Sequence, residues 1–171
     1  PPVLAELRDL SDFHAAQATF EITLDLEKDV KWVPSAIAGE RVQFVGIGTV
    51  DAIVDFSTLG SGAVQISDDA KSVTITLPGV YAAEPVLDHD QSHVMNRDRG
   101  LLNRIGGIFN DNPTSESTLY EAASRKMADA ARHTDLVDRG QVHTSKVLTA
   151  MLTGMGFEQI DIHFDQSSTP H

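Results

Sequence analysis

The sequence predicts an α+β fold, in which an antiparallel β meander packs against two C-terminal helices and is closed by a final strand. Apolar and polar residues alternate through much of the first half of the chain, as they do in half-buried strands. The region after Pro113 has the spacing of amphipathic helices, and residues 157–164 return to alternation. Because all but one of the strands precede the helices, the order favours α+β over a wound parallel sheet.

Chain length sets the expected number of domains. The 171 residues suffice for one well-filled core, whereas two halves of this size would each bury too little apolar surface. The sequence therefore predicts a single α+β domain over residues 1–165, followed by a polar C-terminal tail at residues 166–171.

The first strands are predicted from side-chain alternation. Residues 19–27 place apolar side chains on one face and polar side chains on the other. Residues 3–10 are predicted as a shorter opening strand, because Ser11-Asp12 is typical of a turn. Residues 42–56 are too rich in β-branched residues and glycine for a stable helix, so they are predicted as two strands joined by a bulge.

A hairpin is predicted next. Residues 63–67 and 72–77 form two short apolar runs, and the polar residues 68–71 between them are typical of a hairpin turn. Pro78 ends the second run, since proline cannot donate to a strand ladder. Residues 80–87 are predicted as one more extended piece, which completes an antiparallel meander.

Two helices are predicted after residues 88–112, a stretch without clear periodicity. A capping-box spacing that starts at Thr118 predicts a long helix, and Gly140 is predicted to interrupt it. A second helix is predicted from Gln141 to a glycine at its C-terminal end, such as Gly154.

Composition excludes several classes of partner and site. The chain carries 13 Lys and Arg against 25 Asp and Glu, a net charge of −12, and an acidic surface repels phosphate backbones and anionic lipids. No nucleic-acid partner is expected. The absence of cysteine excludes disulfides, a thiolate nucleophile, cysteine zinc sites and iron–sulfur clusters. No run of apolar residues is long enough to span a membrane, and the opening Pro1-Pro2 suggests that a longer N-terminal segment precedes it.

The densest group of possible metal ligands is His89, Asp90 and His93. The two histidines would share a face only in a helix, and in a strand they would lie about 13 Å apart. The start of this segment imitates a calcium loop, but His93 occupies the position of the required glycine. The favoured interpretation is a solvated acidic loop without a cofactor, and the alternative is a site for a divalent metal ion.

A second candidate is the carboxylate pair Asp51 and Asp55, which alternation places on one side of a strand. Four strand residues span about 13 Å, wider than the spacing of paired carboxylates in glycoside hydrolases. The favoured interpretation is a solvent-facing strand edge. An acid–base hydrolase built on Asp51 or Asp55, with a partner carboxylate from another strand as an open alternative, would need a pocket and a raised pKa. No other spacing reaches a catalytic motif, so the chain is predicted not to be an enzyme.

Several ordered segments together resemble a bacterial family called domain of unknown function 4230, in its actinobacterial form. The resemblance covers most of the chain and is carried by Leu4-Ala5-Glu6-Leu7, Val33-Pro34-Ser35, Ala38-Gly39-Glu40-Arg41, Val45-Gly46-Ile47-Gly48-Thr49-Val50-Asp51-Ala52, Val54-Asp55-Phe56, Val73-Thr74-Ile75-Thr76-Leu77-Pro78, Leu87-Asp88, Ser92, Val94, Arg99-Gly100-Leu101, Ala130-Ala131 and Met155-Gly156-Phe157. The order of these segments, more than any one of them, is typical of the family.

The resemblance implies a location and no reaction. Members usually carry one membrane span before the domain, which implies a single-pass protein of the cell membrane with an extracytoplasmic domain. The family brings no catalytic or binding residues to transfer. The leading hypothesis is therefore a membrane-tethered, non-enzymatic interaction or scaffold module that contacts a protein partner or a second copy of itself. A metal-binding module is the alternative, and an acid–base hydrolase is the third possibility.

Overall fold

The computed structural model describes residues 2–25, 41–98 and 113–165. Within these ranges, the side chains of residues 3–25, 43–95 and 117–165 are described. The predicted polar tail at residues 166–171 lies outside the described residues.

The described elements confirm the α+β class, with strands in the first half, two helices in the second and one strand at the end. In chain order they are α1 (Pro2–Asp9), β1 (Asp12–Asp25), β2 (Arg41–Asp55), a 3₁₀ turn (Phe56–Thr58), β3 (Val64–Ile66), β4 (Ser72–Pro78), β5 (Tyr81–Ala82), β6 (Val86–Leu87), β7 (His93–Asp98), α2 (Pro113–Arg132), α3 (Leu136–Gly154) and β8 (Gln159–Asp165). Among the described residues, no helix is both long and apolar enough to cross a membrane.

The larger sheet is organised around β2, which pairs with β1 and with three shorter strands. The shorter strands run antiparallel to β2 along successive stretches of it. Ala52 faces Ala82 of β5, Gly48 faces Leu87 of β6, and β7 covers the first part of β2. Residues 81–98 therefore return along β2 as one interrupted strand, which confirms the antiparallel meander and extends it into a region without a clear sequence pattern.

The smaller sheet has the order β3, β4, β8. β3 and β4 form the predicted antiparallel hairpin. The final strand is also present where it was predicted, but β8 pairs parallel to β4, with Ser72 opposite Gln159 and Pro78 opposite Asp165. Residues 79–158, which include β5 to β7 and both helices, form the long connection that a parallel pair requires.

The opening segment is a helix, so the prediction of a strand at residues 3–10 is wrong. Val3, Leu4 and Leu7 are the buried residues of α1, and this spacing places them on one helical face. The segment is too short for its pattern to separate helix from strand, and burial in the core decides the outcome.

The predicted helix break at Gly140 is also wrong. The chain leaves the helical conformation at residues 133–135, and Gly140 is buried inside α3. A Cβ atom at Gly140 would lie 2.9 Å from Cβ of Ala52 and 3.0 Å from Cγ1 of Val80. Glycine at this position therefore allows the helix to approach the sheet closely. This contact outweighs the cost of glycine inside a helix, which is about 1 kcal/mol relative to alanine.

The described residues group into two compact units, which divide β1 and β2 between them. Unit 1 comprises the described residues of Pro1–Gln17, Asp51–Ala83 and Thr134–His171, and unit 2 those of Ala18–Val50 and Glu84–His133. The core of unit 1 includes Leu7, Val54, Phe56, Ile75, Leu77, Leu148 and Leu152. Buried side chains of unit 2 include Ile22, Leu24, Phe44, Val50, Leu119, Ala123 and Met127. The single domain over residues 1–165 stays a prediction.

Candidate functional site

In the first part of β1, buried and exposed side chains do not alternate strictly. Phe13 and Ala15 are shielded from solvent while His14 is exposed, but Ala16 is also partly shielded and Gln17 is exposed. The alternation therefore shifts by one residue between Ala15 and Ala16, as it does at a β-bulge. This shift places His14 and Gln17 on the same face, although residues three apart in a regular strand face opposite sides.

His14 and Gln17 both bind the carboxylate of Asp51 on β2. Nδ1 of His14 lies 2.7 Å from Oδ2, and Nε2 of Gln17 donates to Oδ1 at 2.8 Å. Burial alone would raise the pKa of Asp51, but the hydrogen bonds from Gln17 and His14 and the charge of His14 outweigh it, so the pKa is lowered. An ionised carboxylate only accepts hydrogen bonds, so Nδ1 carries the proton.

The two predicted carboxylates have separate partners. Oδ1 of Asp55 accepts a hydrogen bond from the backbone N–H of Ser57 at 2.9 Å and so caps the 3₁₀ turn, while Asp51 is held by His14 and Gln17. The hydrolase hypothesis requires a raised pKa, whereas the pKa of Asp51 is lowered. The local sequence does not single out His14 or Gln17, because their role depends on the pairing of two distant strands.

The loop between β6 and β7 is closed by its own first residue. Oδ1 of Asp88 accepts from the backbone N–H groups of Asp90 and Gln91, at 3.0 and 3.1 Å. The backbone N–H of Gln91, followed by its side-chain amide, lowers the pKa of Asp88. The carboxylate therefore stabilises a turn, as aspartate does in Asx turns.

Ser92 holds the base of this loop against β2. Its Oγ accepts from the backbone N–H of Ile47 at 3.0 Å and donates to the carbonyl oxygen of Asp88 at 2.6 Å. The backbone N–H of Asp88 in turn donates to the carbonyl oxygen of Ile47 at 2.8 Å. Ser92 is buried, with 8% of its surface exposed, so these bonds are shielded from water.

The three predicted metal ligands have different surroundings. The ring of His89 lies against Tyr120 of α2, with centroids 4.2 Å apart. Nδ1 of His93 lies 2.9 Å from the carbonyl oxygen of Gln91, and Asp90 is exposed. In the part of the chain that the structure describes, no group of three His, Asp or Glu side chains is close enough to hold a metal ion. The metal-binding module stays a prediction that needs a binding measurement.

A groove of about 440 Å³ lies between β1 and α3 in unit 1. Ala15 and Ala16 line one side. The other side is formed by Asp135, just before α3, and by Asp138, Arg139, Val142, His143 and Lys146 of α3. Val142 is an apolar side chain with 54% of its surface exposed. The groove therefore combines small side chains on the strand with an exposed apolar residue and several charges on the helix.

Aromatic contacts support the strand side of this groove. The ring of Phe13 stacks on Phe56, with centroids 5.8 Å apart, and also on His143, with centroids 6.3 Å apart and an interplanar angle of 1°. Phe56 is fully buried. The stack connects α3 through β1 to the core of unit 1, so both walls of the groove are held by packed side chains.

A second cavity of about 430 Å³ lies in unit 2. It is lined by Thr19, Ile47, Gly48, Thr49, Val86, Leu87, Asp88 and Gln91. A Cβ atom at Gly48 would lie 2.6 Å from the carbonyl oxygen of Val86, so glycine is required for the two strands to approach here. Val86, which lines this cavity, has 70% of its surface exposed.

Comparison with known proteins identifies the family of this chain. No curated protein and no solved structure matches it. One family, described as "Protein of unknown function (DUF4230)", matches residues 5–162. The match covers most of the chain, including β1 and α3, which form the groove, and the hydrogen-bonded His14–Asp51 pair. The chain therefore belongs to the DUF4230 family.

Proposed function

We propose that the domain is a non-enzymatic protein-interaction module that acts as a scaffold at a membrane. The groove between β1 and α3 carries this proposal. Val142 is exposed at its wall beside two alanines, and apolar residues that remain exposed next to charged ones are typical of contact surfaces.

The contacts of the candidate carboxylates support a binding role over a catalytic one. Asp51 is bound by His14 and Gln17, and Asp88 is bound by backbone N–H groups of its own loop. Carboxylates that serve as hydrogen-bond acceptors in turns and between strands stabilise the fold, and their lowered pKa values do not suit a general acid near neutral pH. The proposal requires no cofactor.

The proposal includes a membrane tether. The resemblance to the family implies one membrane span before the domain, so the domain would meet the membrane only through that segment and would lie outside the cytoplasm. The net charge of −12 fits this arrangement, because the domain itself would be repelled by anionic lipids and by nucleic acid. Alkaline extraction of cell membranes tests the tether: the full-length protein is expected to stay in the membrane pellet, and release into the supernatant would contradict the tether.

Site-specific photo-crosslinking in living cells tests the interaction. A photoreactive benzoylphenylalanine replaces Val142 in the full-length protein, and the same group at Asp161, an exposed residue of β8, is the matched control. We expect one discrete crosslinked species from position 142 and none from position 161. Mass spectrometry of that species separates a protein partner from a second copy of the chain. Equal crosslinking at both positions, or none at position 142, would contradict the proposal.

A further inference from the structure

We propose that the groove between β1 and α3 binds an extended segment of a partner protein as an added strand, antiparallel to β1. The segment would carry a basic residue, an apolar residue two positions later and an acidic residue two positions after that. This inference rests on the proposed interaction function and specifies its binding mode and ligand chemistry.

The position of β1 in the sheet supports strand addition. Among the described strands β1 pairs with β2 alone, so its other edge is available to an added strand within the part of the chain that the structure describes. An edge strand presents unpaired backbone N–H and C=O groups, and peptides that bind between such an edge and a neighbouring helix use them as a template. The groove lies along this strand, and its walls there are the small side chains of Ala15 and Ala16.

The direction of α3 relative to β1 fixes the orientation of the ligand. Phe13 lies beside His143, whereas Ala15 lies beside Gly140, where a Cβ atom would be 3.6 Å from the Ala15 side chain. The strand and the helix therefore run in opposite directions at the groove. Antiparallel strand pairs are roughly two- to threefold more common than parallel ones. A segment added antiparallel to β1 would run in the same direction as α3.

The charges along the helix give the ligand its sequence pattern. Asp138 and Lys146 line the groove, and neither forms an ion pair with another described residue. Arg139 is different, because its Nε lies 3.1 Å from Oδ1 of Asp135, which partly neutralises both groups. A segment that runs with α3 would therefore meet a free negative charge first and a free positive charge later. A ligand segment with charges complementary to those of α3 therefore carries the basic residue first and the acidic residue later.

The spacing of these two charges matches an extended chain. Lys146 lies eight positions after Asp138, which corresponds to about 12 Å along the helix axis. Four residues of an antiparallel strand span about 13 Å and bring side chains back to the same face. Val142 lies midway between the two charges, where it would contact the ligand residue two positions after the basic one.

A second copy of the chain is the competing occupant of the groove. Each copy carries a net charge of −12, so two copies repel each other over long range. A different protein with a segment of the stated pattern is therefore the favoured occupant, and self-association is an outcome that the experiment can detect.

The test uses a capped heptapeptide with Lys second, Val fourth, Glu sixth and Thr elsewhere, together with a peptide in which Lys and Glu exchange places. Both are titrated into the ¹⁵N-labelled chain. We expect amide shifts in β1 and α3, and binding of the first peptide at least about fivefold tighter than that of the second. N-methylation of a peptide backbone amide whose N–H would donate to β1 removes that hydrogen bond, and it is expected to weaken binding by a similar factor.

Charge exchange in the protein provides the matched control. The double variant Asp138→Lys/Lys146→Asp should reverse the preference between the two peptides. Asp161→Lys, which changes a charge at an exposed position of β8 outside the groove, should leave the preference unchanged. If the double variant were unfolded, its amide signals would lose their dispersion. A reversed preference between the two peptides can be observed only if the variant is folded.

Three results would overturn the inference: no binding up to about 5 mM peptide, equal affinity for the two peptides, or concentration-dependent dimerisation that occupies the groove without peptide. Crosslinking at position 142 in cells together with equal peptide affinities would leave the interaction function in place and remove strand addition. Loss of both the crosslink and the peptide binding would remove both proposals.

Discussion

Nδ1 of His14 lies 2.7 Å from Oδ2 of Asp51, although 37 residues separate the two in the chain. Gln17 donates to the other oxygen of the same carboxylate. Asp51 therefore joins β1 to β2 at the point where the alternation of β1 shifts. Because this stretch of β1 also lines the groove, the carboxylate positions one of its walls.

The variant Asp51→Asn is expected to lower the free energy of unfolding by about 1 kcal/mol. The Asn side chain has a single acceptor oxygen, so it satisfies one of the two donors and removes the charge that fixes the His14 ring. Urea denaturation measures the difference. Asp161→Asn, at an exposed position on β8, is the control and should change the unfolding free energy little. Equal effects of the two variants would contradict a structural role for Asp51.

The stability that Asp51 contributes should depend on pH. Its folded-state pKa lies below the ordinary value of 3.8, so the native state binds this proton less readily than the unfolded chain does. The contribution is fully present above the unfolded pKa and is lost as the pH falls through the folded pKa. We expect the stability gap between wild type and Asp51→Asn to be constant near neutrality and to shrink below about pH 4. The comparison removes the effects of other carboxylates, because both proteins contain them.

A gap that stays constant down to about pH 2.5 would show that Asp51 is not ionised in the native state or that its charge makes no difference. The measurement also bears on the hydrolase hypothesis. A carboxylate that served as a general acid would have a raised pKa, and the gap would then change at higher pH.

The strands were predictable wherever one face is regularly more shielded from solvent than the other. The hairpin of β3 and β4 and the final strand β8 have regular alternation, and their burial follows it. In β1 buried and exposed side chains alternate regularly only after Ala16. The shift beside Ala15 breaks the alternation of apolar and polar residues from which a strand is predicted. The fold class was therefore predictable, whereas the start of β1 was not.

The errors and omissions share a physical cause, which is contact between residues distant in sequence. α1 is a helix because Val3, Leu4 and Leu7 pack into a core supplied by later elements. The low helix propensity of glycine predicts a break at Gly140, since the contact with Ala52 that fixes it inside α3 is invisible in the local sequence. The His14–Asp51 pair depends in the same way on the register between two strands, which alternation alone does not specify.

The variant Gly140→Ala should destabilise the domain in spite of the better helix propensity of alanine. The new methyl group would lie 2.9 Å from Cβ of Ala52, which is attached directly to the backbone of β2 and cannot rotate away. Overpacking of this kind costs about 1–3 kcal/mol. The matched control is Gly154→Ala at the end of α3, where a Cβ atom would meet nothing within 4 Å. Thermal unfolding should show a lower midpoint for the first variant only, and equal midpoints would contradict the close helix–sheet contact.

The variant Ser92→Ala should loosen the loop between β6 and β7. It removes the acceptor of the Ile47 N–H and the donor to the Asp88 carbonyl, and a partly buried donor left unpaired costs about 1–3 kcal/mol. Hydrogen exchange is expected to speed up at Ile47 and across residues 88–92. Ser61→Ala, in an exposed turn, is the control and should leave exchange in this loop unchanged. Unaltered exchange at Ile47 in Ser92→Ala would contradict the role of the Oγ bond.

The metal-binding alternative can be tested by thermal unfolding with and without Zn²⁺, Ca²⁺, Ni²⁺ and Mn²⁺. An ion that binds the native state alone must raise the unfolding midpoint. If the loop holds no metal site, no ion should shift the midpoint of the wild type relative to that of His89→Ala/His93→Ala. The double variant is expected to be less stable without any metal, by about 0.5–1.5 kcal/mol, because it loses the contact of His89 with Tyr120. Selective stabilisation of the wild type by one ion would instead establish a metal site at this loop, since only the wild type keeps both imidazoles.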